Sequence, residues 1–578
     1  MNSEFETFVK QMAIENAILY KGTANPKALI GKVMPKFPDM KSDMKTYMQK
    51  INEIVQEVND LGLEKQQELL NELNPNFHQE KEQKNEKKTG LPDVPEELKD
   101  KPLITRFPPA PSGNLHIGHL FGLVYNYEYA KQSGGKFIMR IEDTNPENIS
   151  IENYDALIRD AKWICEDDIA EIHYQSDRIE IYYEYLEKLF DSGSAYACTC
   201  DPEKFKELIE QSLPSPCRLL GIEEQKERLK KMMNGGYKEG EVVIRFKSDL
   251  NDKNPAMRDF SIARIKNDPH ARVGDKYKLW PMYNLCTAID DSIMNISYII
   301  RGKDVEIGGL RQDLIKDALG LKKAPYFHYG KMKFIDLDLS KTKLTQKIKD
   351  KEFDGWDDPR LATIVAFKRR GYKAEAFRKC LVEMGMSKRD SKITKKDYLK
   401  TLDYFNKEII DSTSKRVCCV FNPYKVSISN FDTLDFNTLE IQSHPEYPKL
   451  GTRALNVEND IFIEEQDAKR LQEGNIIRLM HFANFKVLSN ENNELKLEFL
   501  SKAYNKELKL NANIQFVFEN DSEEIVVINE ENKELVGKCE TLHELKEDES
   551  LQFERFGFVR FDRIGRNCNK KKFYFTQK

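Results

Sequence analysis

The 578-residue chain has no apolar run approaching the ~18 to 20 residues that cross a bilayer. Its first residues, MNSEFETFVKQ, have neither the basic start nor the apolar core of a secretory signal. A soluble, cytoplasmic protein with no membrane partner is therefore expected. A large net charge is also missing: 91 Lys+Arg stand against 96 Asp+Glu, a formal −5, which argues against a generic polyanion binder. The 10 cysteines do not form the dense pattern of a small secreted scaffold, so reduced thiols are the default. No fixed-period repeat is present. Histidine is scarce, 9 in the whole chain, so two at close spacing carry information.

What is present is an ordinary globular composition, 40% hydrophobic and 32% charged, long enough for roughly three to five domains. In ETFVKQMAIENAILYKG the apolar residues Phe8, Val9, Met12, Ala13, Ala17 and Ile18 recur at helical spacing. They predict an N-terminal helical module over residues 1–78, a candidate docking module for another protein. The polar stretch Gln79 to Thr89 and the Pro-containing LPDVPEELKDKP then read as a solvated linker, residues 79–100. From 101 to 340, short β-like runs alternate with helical segments: LITRF at 103–107, KFIMRIED at 136–143, VVIRF at 242–246 and ISYIIRG at 296–302. That alternation predicts an α/β domain with a parallel sheet. Residues 341–416 read as helical and strongly basic, and within 341–400 there are 18 Lys+Arg against 9 Asp+Glu. From Val417 to 578, closely spaced alternations such as VCCVF, IIRLM, IQFVF and EIVVI predict one or two antiparallel β-barrels.

The most informative segment is RFPPAPSGNLHIGHL, Arg106 to Leu120. Pro108, Pro109 and Pro111 delay the next helix, Ser112 and Gly113 permit a tight turn, and a helix then starts near His116 to His119. Free N–H groups and the dipole at a helix start favour phosphate. Gly118 allows close approach of a nucleotide. His116 and His119 could donate to phosphate oxygens as charge builds at the α-phosphorus. From 9 His and 28 Gly, a His-x-Gly-His in this chain has a chance expectation under about 1%.

This segment resembles the first signature of class I aminoacyl-tRNA synthetases, in the form used by the glutamyl and glutaminyl group. Leu339-Ser340-Lys341-Thr342-Lys343, after the strand-like KMKFIDLDL, resembles the second signature, a mobile lysine loop. DGWDDPRLATIVAFKRRG at 354–371 is similar to the stem-contact region of archaeal and eukaryotic members, and HPEYPKLGTRAL at 444–455 and QFERFGFVRFDRI at 552–564 to pieces of their β-barrel anticodon-binding domains. The length and N-terminal extension fit the archaeal form best.

The resemblance implies a Rossmann-type catalytic domain with an acceptor-end insertion at about 192–278, a helical stem-contact region and anticodon-binding barrels. It implies activation of L-glutamate by ATP, as the Mg²⁺ complex, and transfer to tRNA(Glu), with tRNA(Gln) a further candidate. Pro109, Pro111, Ser112, Gly113, His116, Ile117, Gly118 and His119 would form the ATP site with Lys341 and Lys343. His116, His119 and the two lysines would be the catalytic groups.

Glutamate and glutamine differ in one terminal group, and a fixed guanidinium is the natural reader of a carboxylate because its fork bonds both oxygens. Arg106 and Arg301 are the candidates, each at a strand end where ligands of α/β sheets bind. By the resemblance, glutaminyl enzymes lack the second arginine and Tyr283 touches the substrate, while Asn284 and Val305 depart from the family's Asp and His. Of Glu142 and Asp143, the latter is preferred for the substrate ammonium, with an Asx-type turn as the alternative. Lys368, Arg369, Arg370 and Arg453 are candidate tRNA contacts, since basic side chains hold a phosphate backbone in register. Cys198, Cys200 and Cys217 are three-quarters of a zinc site, and buried free thiols are the alternative because Ser215 stands where a fourth ligand is expected.

Three other readings remain open: a glutaminyl enzyme, a nucleotidylyltransferase sharing His-x-Gly-His chemistry, and a non-catalytic tRNA-binding protein.

Overall fold

The computed structural model describes residues 3–19, 22–41, 43–73, 90–147, 149–491, 494–504, 507–564 and 570–578. Two compact units divide the chain, Met1–Thr89 and Gly90–Lys578. Among the described residues no helix is long and apolar enough to cross a membrane.

The first unit is a small helical module of Ser3–Leu19, Pro26–Lys36, Met44–Asp60 and Gly62–Leu73. Val9, Ala13 and Ala17 sit at helical spacing and face Val55, Val58 and Leu70 in its core. Asn25 caps the second helix by accepting the Lys27 amide. The buried Gln66 side-chain NH₂ donates to Val58 O at 2.8 Å and Gly22 O at 3.0 Å, so both of its hydrogens are satisfied in this core.

Residues 79–89 of the expected linker lie outside the described residues. The remainder, 90–100, is exposed at Asp93, Glu96, Glu97, Lys99 and Asp100 but docked on the protein: Leu91, Val94 and Leu98 pack on the main core, and the Tyr129 hydroxyl donates to Pro92 O at 2.5 Å. Its prolines marked a segment without regular structure, but its apolar residues at intervals of three and four carry it onto the protein.

Three parallel strands, Ile104–Phe107, Lys136–Ile141 and Glu171–Tyr174, lie in that order. Helices Ile117–Gln132 and Ile151–Ile164 connect them. Ile299–Gly302 and Tyr326–Tyr329 form a further parallel pair, held to the first strand where Ser297 N donates to Ile104 O at 2.9 Å. Parallel strands are covered on both faces, and Phe137 to Ile141 of the central one are buried without a break. Val243–Phe246 does not join them. It lies in a four-stranded antiparallel sheet with Ala195–Cys198, Ser261–Ile265 and Leu279–Pro281, which is the insertion. A four-residue apolar run carries no mark of which sheet it pairs into.

The basic region folds as Lys341–Lys349, Ile364–Arg370, Ala374–Met384 and Lys395–Ile410. Beyond it are two seven-stranded sheets, with cores around Phe553, Phe573 and Val527 in one and Phe482, Ile461 and Leu497 in the other. The chain enters the first sheet at Lys415–Val417, builds the second over Pro423–Phe518 and returns to the first, so the two are interleaved. The sheets are mostly antiparallel, as expected, but four pairs are parallel, among them Pro423–Ile428 with Glu494–Ser501 and Ser522–Ile528 with Lys571–Gln577.

Candidate active site

The first strand ends at Phe107, and the proline-rich turn that follows lacks donors at three positions, so it cannot begin a helix. Gly113 takes φ +122°, a conformation that side chains other than glycine's rarely adopt. His116 is the N-cap of helix Ile117–Gln132. Its Nδ1 accepts the Gly118 amide at 3.1 Å, and His119 Nδ1 accepts the His116 amide at 3.2 Å. The two imidazoles thus form a reciprocal capping box, a role more usual for Ser and Glu. Their rings stack with centroids 3.8 Å apart.

Both Nδ1 atoms are acceptors, so each neutral ring carries its hydrogen on Nε2. Burial, reinforced by Lys341, holds His116 down to about 4. Burial, then His116 and then Lys341, holds His119 down to about 3. At neutral pH the pair therefore offers neutral Nε2–H donors.

A cavity of about 610 Å³ opens beside this turn, lined by Pro109, Ser112, Gly113, His116, Gly118 and His119 at one part and by Arg106, Glu142, Tyr283 and Arg301 at another. Pro111 is buried and Ile117 belongs to the core, and neither lines the cavity.

The expected lysine loop is a helix start. Lys341 is the first residue of Lys341–Lys349, with Ser340 at the N-cap, and Lys343 lies in the first turn. Lys343, Leu344 and Gln346 are good helix formers, and the run has no glycine or proline to keep a loop open. Lys341 Nζ reaches Gly113, where a Cβ would collide with it, and is buried with no hydrogen-bond partner. Burial lowers it to about 8. Lys343 faces outward to Asp338 at 2.9 Å.

At the other part of the cavity, Arg106 is fully buried and donates through Nε and Nη2 to Asp291, at 3.0 and 3.3 Å. Its Nη1 is buried with no partner. Arg301 donates through Nη1 to Gln312 Oε1 at 2.9 Å and to the Tyr283 hydroxyl at 3.3 Å, and its Nη2 is buried and unpartnered. Two guanidiniums, each oriented by its neighbours and each with a spare nitrogen, therefore border one cavity.

Glu142 and Asp143 are placed opposite to the preference for Asp143. Asp143 is buried away from the cavity and accepts the Ser176 amide and hydroxyl, both at 2.7 Å, and the Tyr154 hydroxyl at 2.8 Å. Both residues lie just past the strand Lys136–Ile141, where the chain sends the two side chains different ways. Glu142 lines the cavity and accepts from Thr287 at 3.0 Å and Arg140 at 3.2 Å.

Asp290 and Asp291 were not singled out from the sequence. Asp291 lies between Arg106 and Arg140, whose Nη1 is 2.6 Å away. Burial alone would raise its pKa, but the two guanidiniums outweigh this and hold it well below the usual carboxylate range. Asp290 accepts from Arg178, Gln175 and Tyr182 at 3.0, 3.2 and 2.6 Å. The signal was present in the sequence: Leu-Cys-Thr-Ala-Ile-Asp-Asp places two acids in an otherwise apolar helix, and buried acids need cationic partners.

Residues 102–412 match the family described as tRNA synthetases class I (E and Q), catalytic domain. Residues 414–501 match the anti-codon binding domain of the same group. The chain belongs to this synthetase family. It is 38% identical over 571 residues to a glutamate–tRNA ligase of Thermococcus kodakarensis, across 97% of this chain and 98% of that one. It is likewise 38% identical over 572 residues to one of Pyrococcus furiosus, covering 97% and 98% of the two chains. For one of Methanosphaera stadtmanae the identity is 37% over 580 residues, covering 99% and 100%.

Of the four side chains expected to touch tRNA in this synthetase, only Lys368 is exposed. Arg369 pairs with Asp357 at 2.9 Å and lies over the Tyr574 ring. Arg370 is buried and donates to Phe575 O and Thr576 O, at 3.3 and 2.7 Å. It joins the stem helix to the last strand. Arg453 pairs with the buried Glu540 at 2.7 Å. These three arginines hold the synthetase's own elements together, because a basic run in sequence does not reveal which side chains meet an acid or a carbonyl.

In the insertion, the Sγ atoms of Cys198, Cys200 and Cys217 lie within 4.8 Å of one another, and among the described residues no fourth His, Cys, Asp or Glu joins them. Arg228 Nη1 instead donates to Cys217 Sγ at 3.6 Å. A closed tetrahedral zinc site takes four ligands, and a guanidinium on one of three thiols opposes a second cation. The donor set does not fit zinc. It fits the alternative reading, free thiols.

Proposed function

We propose that the protein is a glutamate–tRNA ligase that activates L-glutamate with ATP and transfers it to the 3′ end of tRNA(Glu). The observation that carries the choice of amino acid is the pair of guanidiniums, Arg106 and Arg301, that line one cavity. A carboxylate satisfies both. A carboxamide would turn its NH₂ toward one of them, leaving a buried donor without an acceptor.

In this reading Arg106 and Arg301 hold the side-chain carboxylate, Tyr283 walls the site, and Glu142 accepts the α-ammonium. ATP enters as its Mg²⁺ complex, with its phosphates at the turn and helix start beside Gly113 and Gly118. An oxygen of the α-carboxylate attacks the α-phosphorus, forming the mixed anhydride as the bond to pyrophosphate breaks. The His116 and His119 Nε2–H groups and the Lys341 ammonium stabilise the developing charge, each by about 3 kcal/mol on the scale of single preorganised donors. A ribose hydroxyl of the terminal adenosine of tRNA then attacks the acyl carbon and releases AMP.

Lys341 gives this step a pH signature. Its amine loses its proton as pH rises through about 8 in the free enzyme. kcat/KM for ATP should accordingly fall above that pH, since this parameter reports free-enzyme ionisations. Lys341→Arg keeps the charge and should remove the alkaline fall, and a profile identical in the variant would assign the fall to another group.

The test of function is aminoacylation of purified tRNA(Glu) and tRNA(Gln) with glutamate and with glutamine. Glutamate on tRNA(Glu) is expected. Charging with glutamine alone would identify a glutaminyl enzyme, and product without tRNA would identify a nucleotidylyltransferase.

A further inference from the structure

The insertion holds a group of side chains that the proposed reaction does not use. Cys198 ends the strand Ala195–Cys198, Cys200 follows it, and Cys217 lies on the short helical turn Pro216–Leu219. Cys200 Sγ stands 3.7 Å from Cys217 Sγ. An S–S bond is about 2.05 Å long, so closing the pair takes about 1.7 Å of approach. Cys200 is half-buried and lies between secondary-structure elements, so it is the partner with room to turn.

The environments of the two sulfurs differ. Cys217 Sγ accepts the Thr199 amide at 3.4 Å and Arg228 Nη1 at 3.6 Å, and the Thr199 hydroxyl lies 3.5 Å away. Burial raises this thiol, but those donors, with Cys200, outweigh it and bring it down to about 7. Burial, with Cys198 alongside, pushes Cys200 up to about 11. An electropositive contact at one sulfur and a protonated thiol next to it are two of the features of a reactive cysteine and its resolving partner, and because Cys217 is only 6% exposed the oxidant has to be small.

We propose that Cys217 and Cys200 form an oxidation site in which a peroxide converts Cys217 to a sulfenic acid and Cys200 closes it to a disulfide. In the first step the Cys217 thiolate attacks a peroxide oxygen. An S–O bond forms, the O–O bond breaks, and the departing alkoxide or hydroxide takes a proton. Sulfur gives up the two electrons that the peroxide gains. In the second step Cys200 attacks the Cys217 sulfur: the S–S bond forms, the S–O bond breaks, and water leaves with the Cys200 proton. Two thiols and one peroxide yield one disulfide, one water and one alcohol, or a second water when the oxidant is hydrogen peroxide.

The full chain is treated with hydrogen peroxide in the presence of dimedone, alkylated, and mapped by peptide mass spectrometry without reduction. A peptide pair joined at Cys200 and Cys217, lighter by two hydrogens than the separate thiol peptides, is expected. In Cys200→Ser the sulfenic acid has no partner of choice, and a dimedone adduct on Cys217 is expected. Wild-type protein with all three thiols alkylated after peroxide would overturn the proposal. So would a Cys217→Ser protein in which Cys200 oxidises at the wild-type rate, or purified protein carrying one zinc per chain that must be removed before any of the three thiols reacts.

Discussion

Arg301→Gln is expected to lower kcat/KM for glutamate by about 30- to 900-fold in tRNA-dependent pyrophosphate exchange and to leave the KM for ATP within about twofold. The size follows from what is lost: a charge-assisted contact to a carboxylate in a buried setting is worth about 2–4 kcal/mol, and each 1.36 kcal/mol is about tenfold in rate. The selectivity follows from placement. Arg301 is 6% exposed and anchored to Gln312 and Tyr283, so its loss alters the amino-acid part of the cavity. The part proposed for the nucleotide is built on His116, Gly118 and the turn, apart from the hydrogen-bond partners of Arg301. Equal losses for glutamate and ATP would refute the assignment.

Asp291→Asn is expected to act on both stability and glutamate binding. The carboxylate is 1% exposed and balances Arg106 and Arg140, both fully buried. Removing its charge leaves Arg106 without an acid partner in low dielectric, while Arg140 keeps Glu142 and Asp290, at a cost of about 3–5 kcal/mol, read as an earlier unfolding transition in urea. Asp291 also fixes the Arg106 fork through two hydrogen bonds, so the KM for glutamate should rise more than that for ATP. Asp290→Asn separates the two effects. Its bonds go to Arg178, Gln175 and Tyr182, so it should cost stability and leave the glutamate KM nearly unchanged. Equal rises in glutamate KM for the two variants would show that Arg106 is oriented by something else.

The site was legible in the sequence where a residue type is rare and its chemistry narrow. His-x-Gly-His after a proline-rich turn marked the helix start, and two arginines at strand ends marked two guanidiniums that line one cavity. What the sequence withheld was direction. Glu142 and Asp143 are adjacent just past a strand end, and one faces the cavity while the other meets Ser176 and Tyr154. Lys341 and Lys343 are two apart on a helix, so one reaches Gly113 and the other faces Asp338. Arg369, Arg370 and Arg453 look like phosphate ligands as letters, but each meets an acid or a carbonyl contributed by distant sequence. The same limit applied to Val243–Phe246, whose sheet is decided by strands up to about 50 residues away. Helices were legible from periodicity, as in the N-terminal module, because their partners lie within one turn.

The measurement that bears most directly on the central claim is the ratio of kcat/KM for glutamate to that for glutamine, taken side by side in tRNA-dependent pyrophosphate exchange. Two buried guanidiniums that require a carboxylate predict a ratio of about 10⁴ or more, the discrimination reached when buried polar groups are left unpaired by the wrong substrate. A ratio near one, or one favouring glutamine, would contradict the account.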